Sequence, residues 1–245
     1  MMPRVVTAER LDGLAAADPD AMRSRRDLQR VHRAMGTRTI VLRGLKAMTA
    51  RHAETQPLRI LEIGAGDGSL MLGVAQALTP NWSGVELTLL DRQALVDPNT
   101  ITRFRGLGWA VTEKVGDVLD WAAESAHLPV SAAGAPWDLI VSNLFLHHFE
   151  GPQLASILKA IAQRSRRFFA CEPRRDWLTL AASHMVGFIG VNHVTREDSV
   201  ISVRAGFNGD ELGTLWPQYG GPWQLQEYSD GLFSHCFRAE RVGLN

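Results

Sequence analysis

Leu58-Arg59-Ile60-Leu61-Glu62-Ile63-Gly64-Ala65-Gly66-Asp67-Gly68-Ser69 is the stretch on which the fold turns. An apolar run ends in three closely spaced glycines and gives way to helical spacing from Ser69 to Leu78, so a strand makes a tight turn into a helix. At such a junction the first backbone N–H groups of the helix are unpaired and the glycines put no Cβ in the way, which lets a flat polar ligand approach closely. The spacing is Gly-x-Gly-x-Gly, because Ser69 stands where the dinucleotide fingerprint Gly-x-Gly-x-x-Gly has its last glycine. Glu62, two residues ahead of Gly64, would sit badly beside a pyrophosphate and well beside a cationic amino group.

Further short apolar runs follow, each ending in a glycine or an acidic residue: Val85–Asp91, Trp109–Val115, Trp137–Ser142 and Arg167–Glu172. Helix-length segments separate them, most clearly Gln153–Gln163, where Leu154, Ile157, Leu158 and Ile161 form a stripe. Alternating strands and helices predict a parallel sheet covered on both faces. Ahead of the first strand, apolar residues at helical spacing from Asp20 to about Ala53, broken near Gly36, predict two helices. The segment Glu124–Pro136, rich in Ala, Ser, Gly and Pro, reads as a loop with a short helix. The last third departs from the alternation: Arg174–Ile189 and Asp198–Trp216 read as helices, and Asp230-Gly231 joins two strand-like runs, Trp223–Tyr228 and Leu232–Arg241, as a hairpin. The expected organisation is one domain: N-terminal helices (1–55), a ligand-binding core (56–173), a helical lid insert (174–217) and a terminal β-hairpin (218–245).

The chain has 245 residues, 45% of them hydrophobic, enough to bury one full core. Lys+Arg and Asp+Glu both number 26, so no basic field is available for a nucleic-acid backbone or an anionic membrane surface, and no nucleic-acid partner is expected. The longest apolar stretch, Leu178–Val191, is interrupted by Ser183 and His184 and falls short of the roughly 20 residues of a membrane span. The expectation is a cytoplasmic protein with reduced, buried Cys171 and Cys236, which are too few for a Cys-based metal site.

Four motifs in order resemble those of the class I S-adenosylmethionine-dependent methyltransferases, over most of the chain from Leu58 to the terminal hairpin. The glycine loop resembles their motif I, and the resemblance implies S-adenosyl-L-methionine as cofactor, with Glu62, Gly64, Ala65, Gly66 and Gly68 around its methionine part. Asp91, closing the second strand with Arg92 beside it, is placed to hold the ribose hydroxyls; by itself this suits NAD equally well. Gly116-Asp117-Val118 stands where the family reads the adenine amine. Trp137 to Phe149, with Asn143 and the Leu146-His147-His148 turn, looks like the fourth-strand motif of the small-molecule branch. The implied fold is a Rossmann-like seven-stranded sheet, mostly parallel, with an antiparallel hairpin at the end. Asp67 and Asp120 read as helix caps or turns, and Asp138 as a structural hydrogen-bond partner.

The segment Asn143-Leu144-Phe145-Leu146 departs from the Pro-Pro-aromatic signature of base and amide N-methyltransferases. Glu172-Pro173 departs from the Asp-Asn pair of the metal-dependent catechol enzymes, so no Mg²⁺ is expected. What remains resembles ubiquinone/menaquinone-type C-methyltransferases and enzymes acting on phenolic or polyketide products in small-molecule, secondary metabolism. The acceptor expected is therefore a small aromatic molecule, methylated on oxygen or carbon. Some of Trp177, Met185, Phe188, Phe207 and Trp216 should line its pocket. His147 and His148 are the expected catalytic bases, His147 foremost, since imidazole titrates near neutrality. No third ligand near them in sequence suggests a metal. His184 and His193 are secondary candidates, while His32, His52, His127 and His235 read as ordinary helix, loop or strand residues. Arg23, Arg25 and Arg26 read as a solvated helix face that could also reach the cofactor carboxylate or an acidic substrate. A nicotinamide oxidoreductase and a noncatalytic cofactor-binding protein are the competing readings.

Overall fold

The computed structural model describes residues 2–49, 57–78, 82, 84–124, 137–218 and 221–243. The expectations for His52, His127 and the segment 125–136 fall outside them. Among the described residues seven strands form one sheet: β1 (Leu58–Ile63), β2 (Val85–Asp91), β3 (Trp109–Val115), β4 (Leu139–Asn143), β5 (Arg167–Pro173), β6 (Trp223–Asp230) and β7 (Ser234–Arg241). Their order is β3-β2-β1-β4-β5-β7-β6, and all pairings are parallel except β5–β7 and β6–β7. The strand order reverses between β1 and β4, which opens a crevice at their carboxyl ends. β4 starts two residues later than expected; Trp137 makes only an isolated bridge to Ser165.

The helices are α1 (Pro19–Met35), α2 (Thr37–Thr49), α3 (Ser69–Leu78), α4 (Pro98–Gly106), α5 (Val118–Glu124), α6 (Gly151–Arg164), α7 (Trp177–Met185), α8 (His193–Ala205) and α9 (Glu211–Leu215). α1 starts where Asp18 accepts hydrogen bonds from the backbone N–H groups of Asp20 and Ala21 and Pro19 fills the first turn, and it ends at Gly36 with φ 69°. α2 and α3 cover one face of the sheet, and their Leu45, Met71 and Val74 pack on Leu58, Ile60 and Val141. α5, α6 and α9 cover the other, where Leu154, Ile157, Leu158 and Ile161 are fully buried as the stripe predicts, each contributing about 1.5–3 kcal/mol.

The second helix of the insert departs from its expected bounds. It begins at His193, because Asn192 accepts from the Thr195 N–H, and it ends before Gly206, where the chain pairs with Pro173 and Arg174. A Cβ at Gly206 would stand 2.2 Å from the Pro173 carbonyl oxygen. Expecting one helix through to Trp216 missed this glycine as a contact. Cys171 and Cys236 face each other across β5 and β7, buried and unbonded. Among the described residues no helix is long and apolar enough to cross a membrane.

Candidate active site

A cavity of about 850 Å³ opens at the carboxyl ends of β1, β2 and β4, roofed by α1, α7, α8 and the extended segment preceding α1. Its floor is the glycine loop. Gly64 N–H and Ala65 N–H both donate to the Leu90 carbonyl at 2.9 and 3.1 Å. Gly64, at φ 69°, leaves no room for a side chain, since its Cβ would come within 2.3 Å of Phe145 Cδ2. Gly66, also left-handed at φ 57°, faces open space. Gly68 departs from expectation: a Cβ there would meet Leu89, Thr100 and Phe104, so this glycine serves packing beneath the loop and lies outside the cavity wall.

The acidic residues divide by what holds them. Glu62 is 2% exposed, and among the described residues its Oε2 has no hydrogen-bond partner. Burial first, then the nearby Asp67 and Asp91 charges, push its pKa up to about 8. Asp91 Oδ2 accepts from Gly66 N–H at 2.8 Å and Oδ1 from Gln93 N–H at 3.0 Å, fixing its carboxylate at the cavity edge. Asp117 accepts from Leu119 N–H at 2.7 Å, starting α5, while it and Val118 also line the cavity. Asn143, at the end of β4, keeps a buried Oδ1 without a partner among the described residues. Arg92 lines the cavity but spends its guanidinium on the Asp12 carbonyl. Asp67 caps the start of α3 and accepts from Gln29, as a cap should. Asp138 accepts from Arg59 N–H at 2.9 Å, the structural role expected of it.

The other end of the cavity is built on the turn after β4. Leu144 takes φ 49°, a strained value for a side-chain-bearing residue. The turn is held by Glu172, wholly buried at the end of β5, which accepts from the N–H groups of Phe145, Leu146 and His147 at 2.9–3.4 Å. The same carboxylate lies 2.8 Å from His147 Nδ1. His147 Nε2 in turn lies 3.2 Å from Glu9 Oε1, delivered by the extended N-terminal segment. Burial alone would lower the His147 pKa, but the hydrogen bonds and charges of Glu172 and Glu9 outweigh it and raise it to about 9. Both carboxylates are held low by His147 against the opposing effect of their own burial. The three form a carboxylate–imidazolium–carboxylate chain. His147 is thus in the cavity wall as expected, but it carries a proton at neutral pH instead of waiting for one. His148, its ring 4.3 Å from that of His147, has Nδ1 3.2 Å from Asp12 Oδ2.

Several expectations are revised. Of the five apolar insert residues, only Met185 lines the cavity. Phe207 and Trp216 are buried, Trp216 stacking on Phe168 at 5.6 Å, while Trp177 and Phe188 are exposed. The aromatic wall comes instead from Phe145, Phe149 and Phe233. His184 and His193 are exposed and outside the cavity, and His235 pairs with Glu227 at 2.6 Å. His32 does line the cavity, with its pKa pushed down to about 4 by burial despite the Asp67 charge. Arg25 reaches the wall and donates to Gln93 and the Ala16 carbonyl, whereas Arg23 and Arg26 are solvated. α2 packs against the sheet, away from the cavity wall. Sequence reasoning missed Glu9, Asp12 and Glu172. A carboxylate on β5 opposite a histidine turn was the available signal for Glu172; nothing marked the other two.

No family model matches the chain, and no curated protein matches it. Solved structures do. The plantazolicin methyltransferase BpumL, solved in complex with a monoazolic desmethylPZN analog and SAH, superposes with a TM-score of 0.59 at 15% identity over 92% of this chain and 91% of its own. An O-methyltransferase family protein from Burkholderia thailandensis gives 0.57 at 14% identity, over 94% of this chain and 62% of that one. The citrinin polyketide synthase CMeT domain structure gives 0.52 at 16% identity, over 80% and 50%. What is shared at such identities is the architecture: the chain has the Rossmann-like fold of these methyltransferases.

Proposed function

We propose that the chain transfers a methyl group from S-adenosyl-L-methionine to a small, flat acceptor. The observation that carries this reading is Glu62, a buried carboxylate with an oxygen unpartnered among the described residues, at the floor of the cavity and beside a glycine loop whose Gly66 leaves space for a ligand. A cationic amino group satisfies that oxygen and favours its ionised form. The residues fit the cofactor: Glu62 and the loop Gly64–Gly66 would hold the amino-acid part, Asp91 the ribose, and Asp117 with Val118 the adenine. When bound, the cofactor supplies an electrophilic methyl group on a sulfonium sulfur. An oxygen or carbon of the acceptor would be the nucleophile for that methyl group. This chain contributes alignment and exclusion of water under the α1, α7 and α8 roof. His147 and His148, with Glu9 and Asp12, stand at the acceptor end to manage its proton.

The acceptor we favour is aromatic and phenolic, quinone-like or polyketide-like, because Phe145, Phe149 and Phe233 wall a cavity that also presents Leu28, Met35 and Met185. Calorimetry with S-adenosylmethionine, S-adenosylhomocysteine and NADH tests the cofactor. Binding of the first two is expected, and binding of NADH alone overturns the reading. A methyl-transfer screen over phenols, quinones and polyketide cores tests the acceptor; transfer confined to non-aromatic amines would overturn that part.

A further inference from the structure

We infer that Glu9, His147 and His148 form a binding site for one divalent transition-metal ion at the acceptor end of the cavity. Their donor atoms all lie within 4.8 Å of one another. The Glu9 Oε1 to His147 Nε2 separation, 3.2 Å, is that of two ligands sharing one ion through bonds of about 2.1 Å at roughly 100°. Opposite ligands on such an ion stand about 4.2 Å apart, so the widest pair closes with a shift of under about 1 Å. Two imidazoles and one carboxylate suit Zn²⁺, Mn²⁺, Fe²⁺ or Co²⁺ better than a hard Mg²⁺.

A second feature is independent of that spacing. A metal-bound histidine is typically oriented by a carboxylate on its other ring nitrogen. His147 has that arrangement, with Glu172 at 2.8 Å from Nδ1 and itself pinned by three backbone N–H groups, leaving Nε2 aimed at Glu9. Ser202 Oγ donates to Glu9 Oε1, fixing that carboxylate as well. Without the ion, a proton on Nε2 bridges the same two atoms. All three donors line the cavity, so an ion there keeps a coordination position toward the acceptor. An acceptor hydroxyl bound to it would release its proton to solvent more readily and present an oxygen nucleophile. Only this last use rests on the methyl-transfer reading; the site itself does not.

The test is metal binding by the full chain, stripped with EDTA, in titrations with Zn²⁺, Mn²⁺ and Co²⁺ followed by calorimetry and Co²⁺ visible absorption. One ion per chain is expected, with affinity lowered about 10-fold or more in Glu9→Gln and in His148→Gln, and unchanged in the exposed-histidine controls His184→Ala and His193→Ala. Absence of saturable binding, or binding that Glu9→Gln and His148→Gln leave unchanged while circular dichroism shows both folded, overturns the site. S-adenosylhomocysteine binding is measured on the same samples, so failure of the cofactor reading shows separately from failure of the metal site.

Discussion

Glu172 and His147 are 25 residues apart in sequence and meet at 2.8 Å, one at the end of β5 and the other in the turn after β4, with neither exposed by more than 2%. The pair is the structural centre of the cavity's end beyond the glycine loop. A carboxylate that accepts three backbone N–H groups and an imidazole ring stays ionised although it sees no water, and it stabilises a turn in which Leu144 is strained.

Glu172→Gln tests this. The amide keeps the shape but can turn only one oxygen toward the turn, so its NH₂ group must face either the Phe145 and Leu146 N–H groups or the protonated ring. Removing one member of a buried ion pair commonly costs about 3–5 kcal/mol. Urea denaturation should show a loss of roughly 3 kcal/mol or more. A loss under about 1 kcal/mol would mean that the turn holds itself.

The two left-handed glycines of the loop should respond differently to alanine. At Gly64 the added Cβ meets the Phe145 ring at 2.3 Å, so Gly64→Ala should lower stability by more than backbone strain alone, roughly 2 kcal/mol or more. At Gly66 nothing lies within 4 Å. Gly66→Ala should therefore cost about 1 kcal/mol of stability while weakening S-adenosylhomocysteine binding about tenfold or more, because the methyl occupies the space left for the ligand. Thermal melts and calorimetry on both variants separate the two effects, and equal stability losses would contradict the geometry.

Asp91 offers a third test, with an internal control. Asp91→Ala should weaken S-adenosylhomocysteine binding by about 2 kcal/mol, roughly 30-fold, through loss of charge-assisted hydrogen bonds to the ribose. Part of any effect could come from the loop, since Asp91 also accepts from Gly66 N–H. Asp91→Asn retains an oxygen for that bond and should keep the loop while still losing affinity. Unchanged affinity in both would remove Asp91 from the cofactor site.

The periodic features were legible in the sequence. β1, β2 and β3 have the bounds expected of them, and the hairpin was foreseen, because alternation and strand ends follow from local burial. The glycine loop and Asp91 were legible for the same reason. The other end of the cavity was not, because it is assembled from distant segments: Glu9 reaches His147 across 138 residues, and no local pattern marks a lone glutamate on an extended strap. Trp216 and Phe207 misled for the opposite reason, since a large aromatic residue satisfies a pocket wall and a core equally well, and only their burial, with Trp216 stacked on Phe168, decides. His32 carried no signal beyond a helical stripe, yet that stripe faces the cavity.

The pH dependence of cofactor binding follows from Glu62. In the folded, ligand-free chain its pKa is about 8, against an ordinary value of 4.5, because it is buried near Asp67 and Asp91. Between those two values the folded protein holds a proton that the unfolded chain has released. This contribution to stability is fully present below pH 4.5 and is lost as the pH rises through about 8. Glu62→Gln should flatten that fall, measured as the difference between the two proteins in urea midpoints across the window. A cationic amino group placed against Glu62 favours the carboxylate, so binding at neutral pH must expel the proton. Calorimetry of S-adenosylhomocysteine in buffers of different ionisation enthalpy should thus report release approaching one proton near neutral pH and little release above about pH 9, with the Glu62 component abolished in Glu62→Gln. Proton uptake instead of release, or release unaltered in Glu62→Gln, would show that the amino group is held elsewhere.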